Sequence, residues 1–199
     1  MSGVLPLFTF ARRREYRYAL CLSYTAMRLF ISINFDDTLK NEIISAQDQL
    51  RRYASRGNFS LSDNLHLTLV FIGETNRIRD VKEIIDGIDI APFQIDLGRP
   101  GVFRRDGGDI YWIGVTAEPG LYRLADCLQT RLREAGFDIE RRPYKPHITI
   151  GRQIECAIQP RITVAPASMT ANRVSLMKSE RINGRLIYTE IHAKELKQI

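Results

Sequence analysis

Apolar residues recur every three or four positions in three segments of the chain, 39–53, 78–88 and 121–132. This is the period of a helix that buries one face. Residues 36–38 offer polar N-caps for the first predicted helix, and Gly136 is placed to end the third. The sequence therefore predicts three amphipathic helices.

Shorter apolar or alternating runs between these segments predict strands. Gly57 and its polar neighbours predict a loop, Gly98 to Gly101 a turn, and the pair Gly107-Gly108 a hairpin. Strands and helices do not follow a strict β–α–β order, so we predict an α+β fold. The predicted strands are 29–35, 64–72, 93–97, 110–116, 147–150, 172–178 and 186–193.

Charge adds only a weak indication of function. The chain has 199 residues, a formal net charge of +6 and a pI of about 9.4, which favours a polyanionic partner. Half of this excess lies in residues 1–26, where four arginines stand against Glu15 alone. That segment has no long apolar run, so we expect a disordered basic extension followed by a single domain, 27–199. Three cysteines without a C-x-x-C motif fit a reduced, cytoplasmic protein.

One short motif occurs twice, as His-Leu-Thr-Leu at 66–69 and as His-Ile-Thr-Ile at 147–150. Side chains on a strand alternate between its two faces. The histidine and threonine of each motif should therefore share one face, while Leu67, Leu69 and Phe71 face the core. Each strand would present an imidazole beside a hydroxyl.

Two imidazoles at one cleft suit acid–base chemistry, because histidine titrates near neutral pH. One can accept a proton from water while the other donates a proton to a leaving oxygen. A metal site is a poor alternative, since zinc needs three or four ligands and His192 is the only other histidine. We expect His192 to be structural or exposed.

The sequence resembles the 2H phosphoesterases, in particular the bacterial and archaeal 2′-5′ RNA ligase-like cyclic phosphodiesterases. The resemblance runs from about residue 27 to the C-terminus and implies a two-lobed, pseudo-symmetric α+β fold, with antiparallel sheets lining a central cleft and helices outside. It also implies metal-free and cofactor-free hydrolysis of RNA 2′,3′-cyclic phosphate ends to 2′-phosphates, and reversible 2′-5′ ligation. The matching stretches are 27–31, 64–69 with 71 and 73–74, and 143–152.

The resemblance assigns proton donation to His66 and proton acceptance to His147, although the residues alone leave these two roles open. Thr68 and Thr149 would hold the nonbridging phosphate oxygens. The arginine of the second family motif corresponds to Arg152 and would bind phosphate. Strand alternation places Arg152 on the face opposite the histidine unless the chain bends.

Tyr144 precedes the second motif and could either stack on a base or pack against the core. The residues also leave three functions open. The first is an enzyme that acts on RNA ends, with tRNA fragments as candidates. The others are a non-catalytic RNA-binding module of the same fold and a phosphodiesterase of small cyclic nucleotides or 2′-5′ oligoadenylate. We expect a monomer without membrane contact.

Overall fold

The computed structural model describes residues 26–197, which form three α-helices and nine strands. The predicted extension lies outside these residues, apart from Ala26. The helices are α1 (Asp37–Arg51), α2 (Ile78–Asp86) and α3 (Pro119–Glu134). The strands are β1 (Met27–Asn34), β2 (Ala54–Phe59), β3 (His66–Thr75), β4 (Phe93–Phe103), β5 (Asp109–Ala117), β6 (His147–Cys156), β7 (Ser168–Ala171), β8 (Arg173–Ile182) and β9 (Arg185–Glu195).

The strands form two antiparallel sheets, one with the order β3-β1-β8-β9 and one with the order β2-β6-β5-β4-β7. Each sheet contains one of the two motif strands, β3 in the first and β6 in the second. Helix α1 packs on β6 and α3 packs on β3, so each helix covers the motif strand of one sheet. Buried side chains from both sheets and the helices join in one apolar cluster. This arrangement confirms the predicted α+β fold.

The three helices lie where the apolar spacing predicted them. Asp36 caps α1 by accepting a hydrogen bond from the Leu39 amide at 2.8 Å. Helix α3 ends in a Schellman motif, in which the Phe137 amide donates to the Leu132 carbonyl and Gly136 has a φ of 81°. None of the helices in the described range is both long and apolar enough to cross a membrane.

Several strand boundaries differ from the prediction. The turn predicted at Gly98 to Gly101 is wrong, because β4 continues through it as part of the β4–β5 hairpin. A Cβ atom on Gly101 would lie 2.2 Å from the Trp112 ring, so this glycine permits close packing. Gly57 belongs to β2, a polar edge strand paired with β6, and β7 is a second edge strand that apolar alternation did not reveal.

Both motif strands are longer than predicted, and both contain a bulge directly after the motif threonine. In β3, Thr68 pairs with Ser32 and Val70 with Ile31, so Leu69 is the extra residue. A bulge adds one residue and shifts the alternation of the side chains that follow. The prediction that Phe71 faces the core is therefore wrong, since Phe71 is 61% exposed.

Candidate active site

The first motif holds His66 by both ring nitrogens. Nδ1 donates to the carbonyl of Asn64 at 2.7 Å, which fixes the hydrogen on that nitrogen in the neutral ring. Nε2 is then free to accept a hydrogen bond from the Thr68 hydroxyl, 2.9 Å away. The ring orientation is thus set by the backbone two residues before it and by the threonine two residues after it.

Aromatic rings enclose His66 on the face of the first sheet. The Phe30 ring centroid lies 4.7 Å from the imidazole, and the edge-on Tyr188 ring lies 5.2 Å from it. Phe71 extends this aromatic surface, with its ring 6.0 Å from Phe30. The three aromatic residues come from β1, β3 and β9, so the enclosure exists only in the folded sheet.

This enclosure controls the protonation of His66. The pKa of His66 is lowered to about 4, chiefly by burial and to a smaller extent by the nearby Arg152 and His147, while the hydrogen bond to the Asn64 carbonyl raises it. Removal from water disfavours the charged imidazolium. At neutral pH, His66 is therefore a neutral imidazole.

The second motif holds His147 in the same way at Nδ1, which donates to the Lys145 carbonyl at 2.7 Å. Its aromatic neighbours are farther away than those of His66: Phe103 at 5.3 Å and Trp112 at 6.2 Å. The hydrogen bonds found within 26–197 leave Nε2 of His147 without a protein partner. The hydroxyl of the second motif's threonine, Thr149, lies 3.5 Å from the guanidinium of Arg152.

A bulge in β6 brings Arg152 to the face of His147. Thr149 pairs with Trp112 and Gly151 with Tyr111, so Ile150 is the extra residue, as Leu69 is in β3. Arg152 then follows the same side as Thr149, and its guanidinium lies 3.5 Å from the Thr149 hydroxyl. The bulge therefore breaks the strict alternation of side chains that would have placed Arg152 on the face opposite His147.

A buried glutamine supports this bulge. Gln47 on α1 is 4% exposed, and its side-chain nitrogen donates to the carbonyls of Ile150 and Ser60, each at 2.8 Å. The Ser60 hydroxyl in turn donates to the Thr149 carbonyl at 2.8 Å. Carbonyls that the bulge removes from the strand ladder thus obtain partners from α1 and from the segment after β2.

Tyr144 connects the two motifs. Its hydroxyl donates to the carbonyl of Thr68 at 2.9 Å, across from the loop that leads into His147. The ring is half-buried against the core with Tyr122 edge-on to it, and burial raises the pKa of its phenol. The structure thus places Tyr144 in a packed position between the motifs.

The structure brings together five of the six residues singled out from the motifs, and Tyr144 packs directly behind them. Strands β3 and β6, which carry the two motifs, contact each other, and Arg152 and His147 are close enough to His66 to lower its pKa. His192 lies elsewhere, with its Nε2 hydrogen-bonded to the Asp86 carboxylate at 2.7 Å, as expected for a structural residue. In residues 26–197 no cluster of three or more histidine, cysteine, aspartate or glutamate side chains is arranged to hold a metal.

Four residues that shape the site were not singled out from the sequence. Asn64 is one: its carbonyl holds His66, and its side chain donates to the Leu186 carbonyl at 2.7 Å on β9. Its position two residues before the motif histidine was the only available signal. The other three are Phe30, Tyr188 and Gln47, whose spacing in the sequence does not reveal their contacts.

Comparisons with known proteins agree with this geometry. The model of the 2′-5′ RNA ligase superfamily matches residues 35–183. A protein of Archaeoglobus fulgidus, named RNA 2′,3′-cyclic phosphodiesterase, is 30% identical over 129 residues, which is 63% of this chain and 72% of that protein. A protein of the same name from Methanothermobacter thermautotrophicus is 27% identical over 183 residues, or 85% of this chain and 99% of that protein.

Solved structures extend the likeness to the whole described fold. E. coli LigT in apo form superposes with a TM-score of 0.74 at 27% identity, covering 87% of this chain and 99% of LigT. The same protein complexed with 3′-AMP gives a TM-score of 0.72 at 26% identity, with the same coverage. The match over most of the chain, the shared fold and the paired histidine motifs lead to one conclusion: this chain belongs to the 2′-5′ RNA ligase superfamily.

Proposed function

We propose that this protein is an RNA 2′,3′-cyclic phosphodiesterase that opens cyclic phosphate ends to 2′-phosphates. The observation that supports this most strongly is that the two motif strands contact each other, with His66 on one and His147 and Arg152 on the other. Two relatives that carry this enzyme name share the family. Acid–base chemistry at a phosphodiester needs two proton-transfer groups and a cation, which is the set present here.

The reaction requires groups on opposite sides of the phosphorus. Water attacks from one side while the ribose 3′ oxygen leaves from the other, so one imidazole cannot serve both oxygens. The accessible rings of Phe71 and Tyr188 near His66 suit a nucleoside, which places the leaving ribose oxygen on that side. We therefore assign proton donation to His66 and proton acceptance from water to His147.

Substrate binding must adjust the pKa of His66 for this role. A proton donor has to be charged, whereas His66, with a pKa of about 4, is neutral at neutral pH. A cyclic phosphate between His66 and Arg152 brings a negative charge that offsets the charge of Arg152 and favours the imidazolium. The alternative is that His147 donates the proton and His66 accepts it, and the same tests would show this.

The threonines and the arginine would hold the phosphate. Thr68 donates to the neutral His66 ring, and its hydroxyl can turn to a nonbridging oxygen when His66 becomes charged. Arg152 and Thr149 lie side by side and can donate to the other oxygen, where a guanidinium stabilises developing negative charge. Tyr144, being packed with its hydroxyl on the Thr68 carbonyl, would keep the motifs at a fixed separation rather than stack on a base.

The finer assignments are part of the same proposal. RNA ends such as those of tRNA fragments, reversible 2′-5′ ligation, a monomeric state, a cytoplasmic location and a dispensable segment 1–26 all remain predictions. A non-catalytic RNA-binding module is the second candidate function, but both motifs retain their histidine and threonine.

The deciding experiment is incubation of the purified protein with an RNA oligonucleotide that ends in a 2′,3′-cyclic phosphate. We expect conversion to a 2′-phosphate, identified by ³¹P NMR and by resistance of the end to a 3′-specific phosphatase, in the presence of excess chelator. A 3′-phosphate product would contradict the assignment of the leaving oxygen. Binding without conversion would instead support the non-catalytic module.

A further inference from the structure

Arg28 lies on the same face of the first sheet as His66 and Thr68. Strand β1 pairs regularly with β8, so Arg28, Phe30 and Ser32 point to one side. Ser32 lies opposite Thr68 of the first motif. Arg28 is therefore about 13 Å along the strand from the motif threonine, measured between backbone positions.

The surface between these two positions is aromatic. Phe30 is buried beneath it, and the accessible rings are the exposed Phe71 and the half-buried Tyr188, which lies 4.9 Å from Phe30. Nucleobases and riboses pack well on such rings. The spacing leaves room for one nucleoside between the motif and Arg28.

Arg28 and Arg152 approach this surface from opposite ends. The positive charges of both guanidinium groups act on the Tyr188 phenol and partly offset burial, which raises its pKa. The Arg28 side chain is exposed, and it takes part in none of the ion pairs found among residues 26–197. A cation, an aromatic surface and a second cation thus follow one another along the cleft.

We propose that Arg28 binds the phosphate on the 5′ side of the terminal nucleotide. With the cyclic phosphate between the histidines and the nucleoside on the rings, the next phosphate of an RNA strand falls at the end of β1. This subsite rests on the proposed function and deepens it, because it would distinguish an RNA end from a nucleoside cyclic phosphate. Arginine suits the contact, since its guanidinium pairs with phosphate oxygens through two parallel hydrogen bonds.

The test uses adenosine 2′,3′-cyclic phosphate with and without a 5′-phosphate, and the dinucleotide that ends in the same cyclic phosphate. We expect the wild type to have about tenfold higher kcat/KM for the two substrates with the 5′ phosphate, which corresponds to about 1.4 kcal/mol. In Arg28→Gln this ratio should fall to about one, and in Arg28→Lys it should be partly retained. Arg79→Gln, which removes a highly exposed arginine on α2, is the matched control and should keep the ratio.

Salt dependence gives a second measurement. One phosphate contact to a single strand adds about 0.7 to the slope of log(kcat/KM) against log salt, so Arg28→Gln should lower the slope for the dinucleotide by that amount. A wild type that opens all three substrates equally well, or an Arg28→Gln variant that keeps the ratio, would refute the subsite alone. A wild type that opens none of them would refute the proposed function, and the subsite with it.

Discussion

The two motif strands have the same backbone plan and different surroundings. Each begins with a histidine whose Nδ1 donates to the carbonyl two residues before it, and each has a bulge just after the threonine. Two positions after the extra residue, β3 has Phe71 and β6 has Arg152. The bulge is thus followed on the histidine face by an aromatic ring in one strand and by a cation in the other.

In the proposed reaction, this difference gives the two halves separate roles. The first half surrounds its histidine with apolar rings, which makes His66 easy to deprotonate and would offer a surface to a nucleoside. The second half leaves His147 in a looser aromatic setting and adds a guanidinium that would bind a phosphate. Two strands with the same backbone arrangement can therefore present histidines with different chemistry. The bulge in each strand brings a different later side chain, Phe71 or Arg152, to the histidine face.

Removal of either imidazole should have the largest effect. His66→Ala and His147→Ala should each lower kcat by about 10²–10⁴-fold, since general acid–base catalysis contributes that much per group. Single-turnover rates on a cyclic-phosphate oligonucleotide measure this. His192→Ala is the matched control and should stay near wild-type turnover. A folded single variant with near wild-type turnover would exclude the two-histidine mechanism.

The lowered pKa of His66 should make the protein less stable in acid. Between pH 4 and pH 6.5 the unfolded state, with an ordinary histidine, binds more protons than the folded state, so the free energy of unfolding rises with pH in this window. The pKa difference, 6.5 against about 4, corresponds to about 3 kcal/mol. Urea unfolding at pH 4 and pH 7 should show a smaller loss in His66→Gln than in the wild type. Equal losses would mean that the enclosure does not lower this pKa.

Loss of Gln47 should weaken the second strand specifically. Gln47→Leu removes the side-chain donor from the part-buried Ser60 carbonyl and from the buried Ile150 carbonyl, which keeps only the Ser60 amide; this should cost about 1–3 kcal/mol of unfolding free energy. It should also lower kcat/KM, because the bulge that places Arg152 loses its support. Gln49→Leu, on the same helix, removes only exposed hydrogen bonds to Thr163, so it should lose less stability and keep its activity. Similar effects in both variants would contradict a special role for the bulge.

Removal of the Arg152 guanidinium should have a smaller effect, which is a change in the pKa of His66 on the other motif strand. Arg152→Gln should raise the pKa of His66, because the positive charge of Arg152 lowers it, although less than burial does. An NMR titration of the His66 ring measures the change, with Arg56→Gln on the exposed edge strand β2 as the control. An unchanged titration would show that the two strands act independently.

Much of this structure could be predicted from the sequence, and the exceptions have physical causes. Apolar spacing identified the helices, and the repeated motif identified the histidine faces. The faces of Phe71 and Arg152 could not be derived, because each depends on a bulge set by pairing with another strand. The polar edge strands β2 and β7 lack apolar alternation because little of their surface is buried. The pKa of His66 depends on rings that come from both ends of the chain.

The central claim is that the two motifs act as one catalytic unit, and a double-mutant cycle tests it most directly. The rates of His66→Ala, His147→Ala and the double variant should be compared with the wild type on the same cyclic-phosphate oligonucleotide. Residues that serve one transition state are strongly non-additive, so the double variant should lose little more than the worse single variant. A double loss equal to the product of the two single losses would contradict the shared mechanism.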